Sequence, residues 1–311
     1  MRRPGVRLLW CVALLALASV ARAEPISRIV VFGDSLSDTG NVFAFTGGAI
    51  PPSPPYYSGR FSNGPVWVER MAEKLGLPVP VAYASGGYNY AFGGAETGPS
   101  SSQQVSPNVL VQVALYLSHT PARSDLFVVW GGANDIFARI GTSTPPDPPA
   151  YVANIASAIT TLSLAGGSQF LVPNLPPLGQ TPWLRSTGHE TEGDNLSAQF
   201  NAALSAELSQ LRTTLGVTIF EMDTHALFAQ ALAEPGKFGL TNVMAPAYDA
   251  ATRTVVPNPQ EYMFWDDEHP TATVHWWLGE YAAAAVPEPS LLVFCLSGGV
   301  TAALLVLRRR R

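Results

Sequence analysis

The sequence predicts an α/β fold built on a central parallel sheet, and three observations predict it. Short β-branched and apolar runs recur at Arg28–Phe32 and at residues 125–130, 168–172 and 217–222. Each run is separated from the next by a segment long enough for a helix. Two of those segments, 151–164 and 196–215, carry apolar residues at helical spacing. Strands that alternate with helices come out parallel, because each helix carries the chain back to the end of the sheet from which it left.

Taken in order, Arg-Ile-Val-Val-Phe closed by Gly33 reads as a buried strand, and a polar turn follows it. Residues 49–64, rich in Pro, Ser, Gly and Tyr, read as a long surface loop between strands. The helix over 151–164 should cover the sheet. So should the helix over 196–215, in which Phe200, Leu204, Leu208 and Leu211 share one face. A last helix is expected after Thr271, and no internal repeat is present.

The two ends read differently from the body. Residues 1–23 combine a basic start, an apolar run over 8–20 and a small-x-small site at Ala21-Arg22-Ala23, which together predict a cleaved secretory signal. Residues 286–311 combine Val286-Pro287-Glu288-Pro289, an apolar stretch over 290–307 that is just long enough to cross a bilayer, and four terminal arginines. The expected mature domain is therefore 24–285. Its only flanking cysteines, Cys11 and Cys295, fall in the ends, so the body contains no disulfide. About 260 residues suffice for one large core without one.

Hydrophobic residues make up 47% of the chain and charged residues 13%, and the formal net charge is -5. No basic field is available to attract a phosphate backbone, so nucleic acid is not an expected partner.

Four polar clusters are candidates for chemistry. Ser35, in Gly33-Asp34-Ser35-Leu36-Ser37-Asp38-Thr39-Gly40-Asn41, sits just past the first strand, where a strand-to-helix turn exposes a hydroxyl and leaves amides free for an anion. Asn89-Tyr90-Ala91-Phe92-Gly93-Gly94 offers glycine amides that can approach a reacting carbonyl. In Gly131-Gly132-Ala133-Asn134-Asp135, Asn134 can donate to a developing oxyanion without protonating it, and Asp135 is expected to cap the next helix. In Asp266-Asp267-Glu268-His269, residues three apart on a helical turn share a face, so Asp266 could hold the ring of His269 toward Ser35 while Asp267 points elsewhere. Such a histidine, paired with a carboxylate, should give activity rising with pH through one step near neutrality. His275 has Ala272 where that carboxylate would be needed, and His119, His189 and His225 also lack it. No His, Cys and carboxylate set has metal-ligand spacing, so neither a metal nor any other cofactor is expected.

These four clusters, in this order, resemble the GDSL (SGNH) hydrolases. The resemblance implies a three-layer α/β/α sandwich with a central, mostly parallel sheet, and a serine esterase or lipase. It further implies Ser35 as nucleophile, His269 as base and Asp266 as third member, with an oxyanion hole formed by the Ser35 amide, Gly94 (with Gly93 as rival) and Asn134. Gly59-Arg60-Phe61-Ser62-Asn63-Gly64 and Asn174-Leu175-Pro176-Pro177-Leu178-Gly179 extend the resemblance as scaffold without assigned chemistry. The tripartite tail resembles the PEP-CTERM sorting signal of Gram-negative bacteria. That implies export machinery and an exosortase as partners, with delivery to the cell envelope or extracellular matrix; a simple tail anchor is the alternative. The expected substrate is an ester of a lipid or an acylated saccharide. A lipid acyltransferase, a polysaccharide acetylesterase and a catalytically silent envelope binding protein remain open alternatives.

Overall fold

The computed structural model describes residues 24–99 and 106–286. The expected export signal and nearly all of the expected sorting tail lie outside the described residues. Among the described residues, no helix is long and apolar enough to cross a membrane.

Strands β1 (Arg28–Phe32), β2 (Asp125–Val129), β3 (Gln169–Pro173) and β4 (Thr218–Met222) form one sheet in that spatial order, with every neighbouring pair parallel. Beyond the free edge of β1, a parallel bridge joins Val31 to Asn89, and the Tyr90 N–H donates to the Val31 carbonyl at 2.7 Å. That pairing carries the chain from Asn89 toward Gly94 past the end of β1, beside Ser35.

Nine α-helices occur among the described residues: α1 (Asn41–Phe45), α2 (Trp67–Leu75), α3 (Val109–Tyr116), α4 (Ala133–Phe137), α5 (Pro148–Leu164), α6 (Pro182–Thr187), α7 (Glu190–Leu215), α8 (Thr224–Ala233) and α9 (Ala272–Ala285). Both helices expected from periodicity are present, and each starts earlier than its apolar pattern. The Asp147 side chain accepts the Ala150 N–H, and Pro148 and Pro149 occupy the first turn of α5, where a missing N–H costs nothing. The first turns of α7 are solvated and polar, with Glu190 and Glu192 favourably placed at the positive end of the helix dipole.

Strand side chains alternate between two cores, which makes the molecule three layers deep. Val30, Phe32, Phe127, Val129 and Phe170 face α3, α5 and α7, meeting Val113, Ile155, Phe200 and Leu204. Ile29, Val31, Leu126, Val128 and Leu171 face α2, α8 and α9, meeting Trp67, Met71, Phe228 and Leu278. A sheet covered on both faces needs apolar residues at nearly every strand position, and β2 and β3 are buried throughout. Each such large side chain contributes about 1.5–3 kcal/mol by leaving water. Helices α2 and α9 pack closely because position 279 is glycine. A Cβ there would stand 2.4 Å from that of Arg70 and 3.0 Å from the Trp67 carbonyl oxygen.

Past α8 the chain forms β5 (Asn242–Pro246), a small antiparallel pair β6 (Tyr248–Asp249) and β7 (Thr254–Val255), and β8 (Tyr262–Phe264), which pairs with β5 in parallel. The expectations from sequence did not include these short pieces, or α2 and α8. Residues 49–64 also differ from expectation. They join α1 to α2 rather than two strands, and Ser62 and Gly64 are buried against the segment that follows His269, at Pro270 and Ala272.

Candidate active site

Ser35 is positioned by the clamp on Gly33. The Gln112 side chain of α3 accepts the Gly33 N–H at 2.8 Å and donates to its carbonyl at 2.8 Å. A Cβ at Gly33 would stand 2.5 Å from the Trp130 carbonyl oxygen, so only glycine lets β1 and β2 approach here. The Asp34 carbonyl accepts the N–H groups of Ser37 at 3.1 Å and Asp38 at 3.0 Å, closing a single turn. Helix α1 begins only at Asn41, so Ser35 stands on an isolated turn rather than at the helix N-terminus expected.

His269 reaches that turn from the far end of the chain. Its Nε2 is 2.9 Å from Ser35 Oγ, and its Nδ1 lies 2.9 and 2.8 Å from the two Asp266 oxygens. The local geometry differs from the helical turn expected, because residues 266–269 form a bend. Asp266 Oδ1 accepts the backbone N–H of Glu268 at 2.9 Å and of His269 at 2.7 Å. An Asx turn of this kind lets one carboxylate hold both the loop and the ring. The loop is closed by the Trp265 N–H, which donates to the His269 carbonyl at 2.7 Å. Asp267 is exposed, and its backbone carbonyl accepts the Trp183 N–H at 3.0 Å.

Sequence reasoning missed the loop's contribution to this arrangement. Tyr56 Oη donates to Asp266 Oδ2 at 2.6 Å, and the Phe61 ring lies 5.3 Å from that of His269. Ser62 Oγ donates to the Pro270 carbonyl at 2.9 Å, and Asn63 Oδ1 accepts the Ala272 N–H at 2.7 Å. The Phe61-Ser62-Asn63 scaffold motif therefore braces the histidine loop. Its turn-rich composition and the Gly59–Gly64 scaffold motif were the signals, and neither says what the loop touches.

Electrostatics tune the pair. Burial opposes a charged imidazole, but the Asp266 charge and hydrogen bond outweigh it, with help from Glu268 and Asp34, and raise His269 to about 9. That replaces the expectation of a step near neutrality. Burial likewise opposes charge on Asp266. His269, Tyr56 and the Glu268 N–H overcome it, so this carboxyl stays below its ordinary range. Burial raises Asp34 to about 6.

The oxyanion candidates converge on the same point. Ser35 and Asn134 line a pocket together with Gly94, which has a φ of 75°, a left-handed conformation that favours glycine. The Gly93 N–H is committed to Asp38 Oδ2 at 3.0 Å. Among the described residues the amides of Ser35 and Gly94 have no acceptor, which separates Gly94 from its rival. Asp38 also accepts the N–H groups of Gly40 and Asn41 at 2.7 and 2.6 Å, so one buried carboxylate joins the nucleophile turn to the glycine turn. The Asn134 side chain donates to the Ala95 carbonyl at 3.0 Å. Asp135 does not cap a helix. It lies buried inside α4, where it accepts the Thr97 N–H and Oγ–H at 2.8 Å each and so ties the glycine turn to α4.

The remaining histidines stand apart from Ser35. The buried His275 accepts the Trp67 N–H on Nδ1 at 3.2 Å, His189 pairs with Glu192, His119 lies against Tyr88 and Tyr116, and the His225 N–H donates to Asn174. Among the described residues, no group of three or more His, Cys, Asp or Glu side chains could hold a metal ion.

Comparison with known proteins agrees with this geometry. The family model for GDSL-like lipase/acylhydrolase matches residues 29–282. The chain is 34% identical to a phosphatidylcholine-sterol acyltransferase of Aeromonas hydrophila, over 89% of this chain and 96% of that protein. It is 29% identical to a thermolabile hemolysin of Vibrio parahaemolyticus, over 83% of this chain and 63% of that protein's length. It is 30% identical to a GDSL esterase/lipase of Arabidopsis thaliana, over 86% of each. The chain belongs to the GDSL-like lipase/acylhydrolase family and is a carboxylic ester hydrolase of α/β fold.

Proposed function

We propose that Ser35, His269 and Asp266 carry out ester cleavage through an acyl-enzyme. The observation that carries this reading is the 2.9 Å contact between Ser35 Oγ and His269 Nε2, with the other ring nitrogen held by Asp266. His269 takes the hydroxyl proton as Oγ attacks the ester carbonyl. The Ser35 and Gly94 amides and the Asn134 side chain hold the oxyanion. Collapse expels the alcohol, which leaves with the proton from His269, and a water molecule activated by the same ring then releases the acid.

Two pockets meet at Ser35, which suits a substrate with two dissimilar halves. One is apolar, walled by Leu36, Trp130, Leu175, Leu178, Phe228 and Phe264, and is suited to an acyl chain. The second is more open and runs past Gly94 and Trp183.

Acyl transfer to an alcohol is a second reading, favoured by the acyltransferase of Aeromonas hydrophila. A panel of short and long acyl esters, phospholipids and acetylated sugars, run with and without an alcohol acceptor, separates the two. Hydrolysis predicts free acid as the main product throughout. Transfer predicts that the acceptor captures most of the acyl group. Cleavage of none of these esters would sink both readings.

We also propose that the catalytic body spans 24–285, leaves the cell through the amino-terminal signal, and is sorted to the envelope or matrix through the tail at 286–311 by an exosortase. The basic start, the apolar runs and the terminal arginines support this reading. Intact-mass measurement of protein from the native host should begin near Glu24 and end near Pro287-Glu288-Pro289. A membrane-bound species retaining Arg308 to Arg311 would instead favour the simple anchor.

A further inference from the structure

Nothing inside the turn that carries Gly94 decides which way its central peptide faces. The Ala95 N–H donates to the Phe92 carbonyl at 3.1 Å, closing a β-turn over Phe92-Gly93-Gly94-Ala95, and Gly94 stands third with a φ of 75°. A type II turn has a positive φ at that place, whereas a type I turn has a negative one and keeps the same closing bond. The two forms differ by a flip of the peptide between the second and third residues, here Gly93 and Gly94. Neither residue has a Cβ to set the choice, and a Cβ at Gly93 would stand 2.3 Å from the Phe61 ring. One form presents the Gly94 N–H to a given side, and the other presents the Gly93 carbonyl oxygen there. An oxygen in that place would repel an oxyanion instead of stabilising it.

The hold comes from outside the turn. The Phe92 N–H donates to the Gly33 carbonyl at 3.1 Å and the Gly93 N–H to Asp38 Oδ2 at 3.0 Å, which fixes the two peptides that lead in. The Gly93 carbonyl accepts the Ser106 Oγ–H at 2.6 Å. The C=O and N–H of a trans peptide point in opposite directions, so this bond sends the Gly94 N–H away from Ser106. Of the four N–H groups from Phe92 to Ala95, only that of Gly94 lacks an acceptor among the described residues, and Gly94 shares a pocket with Ser35 and Asn134. Ser106 is itself kept in place. It lies two residues before Asn108, whose side chain accepts the Val111 N–H at 3.0 Å at the start of α3. Gln112 Nε2 donates to the Pro107 and Gly33 carbonyls at 2.8 Å each, which ties the segment carrying Ser106 to the end of β1.

We propose that Ser106 is a positioning residue for the oxyanion hole, holding the Gly93–Gly94 peptide so that the Gly94 N–H faces the reacting oxygen. The inference rests on the reading of Gly94 as an oxyanion donor and adds a side chain outside the triad and its loops. The hydroxyl acts through the peptide in two ways. It excludes the flipped turn, and by drawing charge onto the carbonyl oxygen it makes the N–H at the other end of the same peptide a stronger donor.

The test compares a short ester with its thionoester, in which sulfur replaces the carbonyl oxygen, in the wild type, Ser106→Ala and Asn134→Ala. Sulfur is a weak acceptor and too large for a hole shaped for oxygen, so a weakened donor slows the ester far more than the thionoester. Loss of one neutral hydrogen bond should reduce kcat for the ester roughly fivefold in Ser106→Ala, with KM nearly unchanged. The ester-to-thionoester ratio of kcat/KM should fall by a similar factor, and the pH midpoint set by His269 should stay at its wild-type place. Ser106→Thr keeps the hydroxyl and should retain the wild-type ratio. An equal loss on both substrates in Ser106→Ala would show a merely structural role and overturn the inference, as would an unaltered kcat, a displaced midpoint, or a Ser106→Thr ratio as low as that of Ser106→Ala. Asn134→Ala tests the underlying reading separately. If it lowers the ratio while Ser106→Ala does not, the oxyanion hole stands and the role of Ser106 falls. If it leaves the ratio unchanged, the hole itself is misassigned and the inference falls with it.

Discussion

Tyr56 Oη donates to Asp266 Oδ2 at 2.6 Å, joining residues 210 positions apart in the chain. The bond supports the carboxylate that faces His269, and it withdraws some of the charge that would otherwise act on the ring. Tyr56→Phe keeps the ring packing against Tyr248 and Trp265 and removes only the hydroxyl. A hydrogen bond to a charged group contributes about 1.5 kcal/mol at the low end, which corresponds to about tenfold in rate. We expect kcat to fall by that order with little change in KM, and the acidic limb of the pH profile to move upward as Asp266 attracts the imidazolium more strongly. A limb that moves downward would show that the hydroxyl does not screen this pair.

The pH dependence itself follows from His269. Its ring must be neutral to accept the Ser35 proton, and it is raised to about 9, so kcat/KM should climb through an alkaline midpoint and be low at pH 6. Asp266→Asn removes the main raising charge and permits the wrong tautomer, so the rate should fall by about 10⁴ while the limb shifts down. Asp267→Asn should do much less, because that side chain is exposed and makes no hydrogen bond to the ring. A pH-rate series on the two variants checks the ranking, and the reverse order would reassign the third position of the triad.

Asn134→Ala should lower kcat by roughly 10² to 10³ with a smaller effect on KM, since its contact strengthens as the oxyanion forms. Steady-state kinetics on a short ester measure this. A loss confined to KM would make Asn134 a binding residue instead.

His275 gives a stability prediction independent of catalysis. Burial holds the ring neutral and lowers it to about 3 from an ordinary 6.5, with the charges of His269 and Arg70 acting in the same direction. A histidine lowered in the folded state contributes stability that is present above 6.5 and is lost as pH falls toward 3. At pH 5 the deficit is about 2 kcal/mol. His275→Asn keeps an acceptor for the Trp67 N–H and cannot titrate. The stability difference between wild type and this variant should therefore shrink by about that amount between pH 7.5 and pH 5 in denaturant melts. A constant difference would show that the ring does not resist protonation.

The sheet was legible because β2 and β3 are buried throughout and β1 nearly so, which leaves short apolar runs between polar segments, while the edge strand β4 keeps an exposed Glu221. Ser35, Asn134 and His269 could be read from local patterns that need only a few adjacent residues. Tyr56 could not, because its role is a tertiary contact between a turn-rich loop and the far end of the chain. Asp38 and Asp135 were hidden for a similar reason. Each looks like an ordinary turn or cap acid, yet each is buried and ties one segment of the site to another. The geometry of 266–269 was misread because a spacing of three is shared by a helical turn and by the Asx bend that Asp266 makes.

The central claim is that Ser35 is the nucleophile activated by His269. Reaction of the purified protein with a fluorophosphonate, followed by intact mass and peptide mapping, tests it most directly. One adduct should form, on the peptide containing Ser35. It should be absent in Ser35→Ala and form far more slowly in His269→Ala, with both variants retaining the wild-type far-ultraviolet spectrum. An adduct on another serine, or Ser35→Ala protein that still turns over ester near the wild-type rate, would contradict the account.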